Sequence, residues 1–113
     1  MPTFERGTVV RVPFPYTDRP VRQRRPALVV SAGGLGESEQ LLWVVMITSA
    51  ENRRWPGDID LTEAYAAVGL PAPSLVRPTK IATIEAEYAE RLGKVGADIV
   101  RQIETALRHQ LGL

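Results

Sequence analysis

Apolar residues run through the first half of the chain in short, β-branched stretches: Thr8 to Val12 (TVVRV), Ala27 to Ser31 (ALVVS) and Leu41 to Thr48 (LLWVVMIT). Val, Ile, Thr and aromatic side chains fit a pleated, half-buried surface, so each stretch predicts a strand. The third is apolar at nearly every position, which predicts a central strand buried on both faces. Gly57 to Leu61 alternates and predicts a short strand. Thr62 then reads as the N-cap of a short helix over Glu63 to Val68, with Gly69 at the C-cap and Pro71 preventing continuation. Two further strands, Ser74 to Arg77 and Lys80 to Ile84, are separated by Pro78, and a last one covers Arg91 to Val95. Beyond it the period changes. Ile99, Ile103, Leu107 and Leu111 recur every four residues, and Val100 and Ala106 widen the stripe into the face of an amphipathic helix. Asp98 near its start and Arg108 and His109 near its end suit the helix macrodipole. Many short strands and a terminal helix predict a mainly β, α+β fold: a small, strongly curved β-barrel with helices packed on it.

At 113 residues the chain is long enough for one compact domain, 1–113, and too short for two. An apolar share of 44% and a charged share of 24% exclude a disordered or fibrous chain. The absence of cysteine excludes a disulfide framework and a thiolate zinc site and fits a reducing cytoplasm. The opening MPTFERGTVVRV lacks the long apolar stretch of a signal peptide, and no segment approaches the roughly 18 apolar residues that span a bilayer. A soluble, cytoplasmic protein with no membrane partner is expected.

Net charge is +1, which alone predicts no polyanion partner; its distribution changes that picture. Between the first two strands lies PFPYTDRPVRQRRP, rich in proline and charge, which predicts a long exposed loop. Loops of that length in a compact domain tend to be functional. Arg19, Arg22, Arg24 and Arg25 crowd into it, and arginine greatly outnumbers lysine in the chain. Guanidinium forks suit bidentate phosphate contacts and stacking on bases; the alternative is a solvated loop that aids solubility.

His109 is the sole histidine, placed to serve the helix dipole rather than a metal, so neither a metal site nor a two-histidine acid/base mechanism is expected. The glycines of SAGGLGE, Ser31 to Glu37, lack a following Gly-Lys-Ser/Thr and read as a flexible strand connection. The informative set is Phe14, Tyr16, Thr17, Asp18, the arginine group, and Thr48 with Ser49. Rings stack on unpaired bases, arginines hold phosphates, and hydroxyls bond phosphate oxygens or the 2′-hydroxyl, which together are the needs of a single-strand RNA site. If the strand starting at Arg25-Pro26 pairs antiparallel with the one ending at Thr48-Ser49, Arg25 and Thr48 share a site.

Several patches then resemble one family in order and spacing: Gly7-Thr8-Val9-Val10, Arg25-Pro26-Ala27-Leu28-Val29-Val30-Ser31, Val45-Met46-Ile47-Thr48-Ser49, Gly57-Asp58-Ile59, Gly69-Leu70 with Pro73-Ser74, and Val76-Arg77 with Lys80-Ile81. These are similar to the MazF/PemK toxins of type II toxin–antitoxin systems over about residues 5 to 111. The resemblance implies an SH3-like barrel, a homodimer, and metal-independent cleavage of single-stranded mRNA to 2′,3′-cyclic phosphate and 5′-hydroxyl ends, blocked by a cognate antitoxin and needing no cofactor. It carries the catalytic arginine and threonine onto Arg25 and Thr48, and a second arginine of some members onto Arg77. Tyr16, Thr17, Arg19, Arg22, Arg24 and Ser49 are left to hold substrate. Where some members have an aspartate two positions after the second arginine, this chain has Thr79, which puts an Arg77-carboxylate mechanism in doubt. Asp18, Glu37 and Glu39 remain alternatives for a general base. Two other readings stay open: a toxin of the same barrel that binds and poisons DNA gyrase, and a catalytically impaired RNA-binding member.

Overall fold

A computed structural model of the chain describes residues 4–13 and 24–113. The expectations for Phe14, Tyr16, Thr17, Asp18, Arg19 and Arg22 lie outside the described residues. The strands are β1 (Thr8–Pro13), β2 (Arg24–Val29), β3 (Leu41–Ser49), β4 (Ile59–Leu61), β5 (Ser74–Glu85) and β6 (Glu90–Lys94), followed by helix α1 (Ala97–Leu111). They form one antiparallel sheet in the order β4-β5-β3-β2-β1-β6. The sheet curls into a half-barrel with α1 packed on it.

The nearly continuous apolar run of β3 is explained by a core on each face of the sheet. Val45 and Ile47 join Val9, Leu28, Val76 and, from α1, Ile103. Leu42, Val44 and Met46 point the other way, toward Val10, Val12, Val29 and Phe4. Successive strand residues alternate faces, so only an unbroken run can feed both cores. Trp43 departs from the expectation: it is 51% exposed. In α1 the stripe docks through Ile99, Val100, Ile103 and Leu107, but Leu111 stays exposed at 64%. Gly112 ends the helix in the left-handed conformation, with its N–H on the Arg108 and His109 carbonyls. No helix among the described residues is long and apolar enough to cross a membrane.

Two elements differ from expectation. Residues 62–69 form successive turns rather than a helix. Six residues are too few to offset helix nucleation, and Val68 and Leu70 are drawn into the core with Tyr65 against it. The segment closes as a helix end would: the Gly69 N–H donates to the Ala66 carbonyl and the Leu70 N–H to that of Tyr65, at 3.2 and 2.9 Å, with Gly69 at φ +87°. Ser74 to Ile84 is likewise one strand instead of two. The ladder with β3 jumps from Val45↔Ile81 to Met46↔Arg77, so Pro78 sits in a bulge, where a strand tolerates a residue without an N–H.

The curl closes on a glycine pair. A Cβ on Gly69 would lie 2.2 Å from the Leu92 carbonyl oxygen, and one on Gly93 2.3 Å from that of Val68. Backbone meets backbone at this seam, which draws the chain after β4 onto β6.

Candidate functional site

The β2–β3 ladder pairs Ala27 with Met46, Leu28 with Val45 and Val29 with Val44. Continued toward the start of β2, the same register sets Arg25 opposite Thr48. These residues line one cleft of about 500 Å³ together with Arg24, Pro26, Ile47, Ser49, Asn52, Pro71, Ala72 and Ser74. Its far wall comes from the connection into β5, held by the Ala50 N–H donating to the Pro73 carbonyl at 2.9 Å and the Ser74 hydroxyl to that of Ala72 at 2.7 Å. Arg25 and Ser49 are exposed and Thr48 is half-buried, so a guanidinium and two hydroxyls face one solvent-accessible trough.

Arg24 lines the cleft but leans away. Its guanidinium donates to the carbonyls of Arg11 and Tyr88 at 3.2 and 3.1 Å and lies 3.8 Å from Glu90. Asn52, which no motif in the sequence singles out, donates its side-chain amide to Thr48 Oγ1 at 2.6 Å.

Arg77 sits apart from the cleft, in the interior. It is 6% exposed. Its Nε and Nη2 donate to the two carboxylate oxygens of Asp58 at 3.1 and 2.9 Å, and Nη2 also to the Arg53 carbonyl at 2.9 Å. The guanidinium lies 3.9 Å from the centroid of the Trp55 ring. Arg77 thus has a carboxylate partner, supplied by Asp58 just before β4 and not by position 79. Burial pushes the Asp58 carboxyl up, but hydrogen bonds from Arg77 and the Trp55 amide, with the charges of Arg77 and Arg54, hold it below its ordinary value. A sequence signal existed in Gly57-Asp58-Ile59, but nothing local says that its aspartate faces Arg77.

Glu37 and Glu39 are placed away from the cleft, which corrects their candidacy as bases. They lie in the β2–β3 connection, at the opposite end of the strand pair from Arg25 and Thr48. With six residues in β2 and about 3.3 Å per residue, the two ends are roughly 16 Å apart. The SAGGLGE connection itself is tied by paired backbone bonds between Leu35 and Leu41 at 2.7 and 3.1 Å. His109 occupies the last turn of α1. Among the described residues no three His, Asp or Glu side chains converge to hold a metal ion.

The whole chain superposes on MazF from Deinococcus radiodurans with a TM-score of 0.75 at 20% identity, covering 100% of each chain. It matches an endoribonuclease in complex with its cognate antitoxin from a mycobacterial species with a TM-score of 0.73 at 24% identity, covering 100% of this chain and 97% of the other. A MazE–MazF structure from Deinococcus radiodurans aligns with a TM-score of 0.76 at 22% identity, over 100% and 99%. No curated protein matches the chain by sequence. At this identity the likeness shows the fold, a curled half-barrel with a C-terminal helix. The family described as PemK-like, MazF-like toxin of type II toxin-antitoxin system matches residues 5–111, and the chain belongs to that family.

Proposed function

We propose that the protein is the toxin of a type II toxin–antitoxin pair and a metal-independent endoribonuclease that cuts single-stranded mRNA at a short sequence motif. The observation that carries this reading is the placement of Arg25 opposite Thr48 across one open cleft. RNA supplies its own nucleophile, the 2′-hydroxyl, so the protein has only to align it and stabilise the charge of the phosphorane. The 2′-hydroxyl gives its proton to water as its oxygen bonds to phosphorus, the bond to the 5′-oxygen breaks, and that oxygen takes a proton from water, leaving a 2′,3′-cyclic phosphate and a 5′-hydroxyl. A guanidinium keeps its proton at neutral pH, so Arg25 acts by holding the negative charge. Thr48 donates to a phosphate oxygen or to the departing 5′-oxygen. Ser49 flanks them as a phosphate contact, with Tyr16, Thr17, Arg19 and Arg22 extending the grip along the RNA strand, and Arg24 joins them by turning from the Arg11 and Tyr88 carbonyls that hold it. Arg77, held by Asp58, supports the sheet beside the site.

The protein works in the cytoplasm, where its substrate is, as a homodimer held off by a cognate antitoxin. Exposed Trp43, Ile81 and Leu111 on one side of the molecule, lining an apolar groove with Leu35 and Leu107, supply an assembly face for the second copy. Cleavage by Arg25→Ala, Arg25→Lys and Thr48→Val tests the site. Arg25→Ala should abolish it, and Arg25→Lys should restore little because the bidentate fork is gone. Thr48→Val should lose at least about tenfold in rate. Wild-type rates in all three would move the site elsewhere.

A further inference from the structure

We propose that Asn52 is a positioning residue that fixes the Thr48 hydroxyl as a hydrogen-bond donor into the cleft; this rests on the nuclease reading above. A threonine hydroxyl has one hydrogen and two lone pairs, and half-exposed at a strand end it can turn either to a reactant. An alcohol that offers a lone pair repels the anionic oxygens of a phosphorane, whereas one that offers its hydrogen stabilises them. Something has to choose between the two.

The Asn52 amide makes that choice. Its Nδ2 lies 2.6 Å from Thr48 Oγ1, so one lone pair is occupied by an N–H and the hydroxyl hydrogen cannot lie along the same line. The hydrogen must point elsewhere, and the open direction is the cleft that Thr48 lines with Arg25. Accepting from the amide also polarises the O–H bond and makes it a stronger donor. The amide is held in place by the backbone. The Asn52 N–H donates to the Ser49 carbonyl at 3.0 Å, the Glu51 N–H to Ser49 Oγ at 3.2 Å, and the Ala50 N–H ties the turn to Pro73. The turn after β3 thus delivers an amide N–H to the hydroxyl that ends the strand.

The test is a double-mutant cycle read as kcat and KM on a labelled unstructured RNA, with circular dichroism to show that each variant folds. Asn52→Ala should lower kcat by about 2- to 12-fold, the rate equivalent of one ordinary hydrogen bond, with KM nearly unchanged. Asn52→Asp should lower kcat further, since a carboxylate only accepts and draws the Thr48 hydrogen out of the cleft. In a Thr48→Val background Asn52→Ala should cost nothing more, because the hydroxyl it acts on is gone, whereas Asn52→Asp should keep the part of its cost that comes from a carboxylate facing phosphate in the cleft. An Asn52→Ala cost that adds in full to that of Thr48→Val, or a change in KM alone for Asn52→Ala, would overturn the assignment while leaving the nuclease reading intact. A wild-type protein that leaves the RNA whole would overturn both.

Discussion

Replacing Asp58 by Asn keeps the shape of the side chain and removes the charge that holds Arg77 in the interior. The side chains of this pair are 8% and 1% exposed for Arg77 and Asp58, so water screens neither. Breaking a buried pair from one side leaves an uncompensated charge and costs about 3–5 kcal/mol. Asp58 also accepts the Trp55 backbone N–H at 2.8 Å, which an asparagine oxygen can still do, so the lower half of that range is expected. For a domain of this size about 1 kcal/mol corresponds to roughly 4 °C, which places the drop in Tm at about 12–16 °C. Thermal and urea unfolding at fixed protein concentration measure it. Replacing both partners, Asp58→Leu with Arg77→Met, should cost much less than the single change. The pH dependence follows from the sign of the shift. The Asp58 carboxyl is held below its ordinary value of 3.8, so its contribution is complete above that pH and is lost as pH falls through the depressed value. Wild-type stability should therefore fall away below about pH 4 more steeply than that of Asp58→Asn. A loss under about 1 kcal/mol with parallel acid limbs would show that the pair behaves as a surface ion pair, and would return Arg77 to the list of groups open to substrate.

Gly93→Ala places a Cβ 2.3 Å from the Val68 carbonyl oxygen, a backbone clash that no side-chain rotation relieves. It should destabilise the fold by about 1–3 kcal/mol in urea unfolding, whereas Gly57→Ala, with nothing within 4 Å, should pay only for its positive φ. Changing Arg19, Arg22 and Arg24 together to Gln should weaken RNA binding and flatten its salt dependence, read by filter binding across a salt series; an unaltered slope would mean these charges touch no phosphate. Light scattering at micromolar concentration should give twice the chain mass, and Trp43→Glu should lower it toward a single chain if the exposed apolar side is where two copies meet; a wild-type monomer would count against the dimer.

Much of the frame was legible because it depends on local rules. A β-branched run with turns at its ends becomes a strand, and an antiparallel partner must bring the start of one strand to the end of the other, which is why Arg25 and Thr48 could be paired on paper. What was not legible depends on distant neighbours. Residues 63–68 carry acceptable helix signals, but the core beneath takes Tyr65, Val68 and Leu70 at a spacing the turns satisfy. Pro78 reads as a break, since the bulge that absorbs it is visible only against Val45 and Met46. The partner of Arg77 lies 19 residues away, on another strand's approach. Asn52 belongs to no motif, and its bond to Thr48 depends on how the turn after β3 folds back on the strand end.

The proposed nuclease cuts RNA with its own side chains at the cleft that holds Arg25 and Thr48. The most direct measurement is incubation of the purified protein with an end-labelled unstructured RNA in excess EDTA, followed by analysis of the product ends. Discrete cuts that leave 5′-hydroxyl and 2′,3′-cyclic phosphate ends, and vanish in Arg25→Ala, are the predicted result. Intact RNA, with inhibition of DNA gyrase by the same preparation, would contradict it.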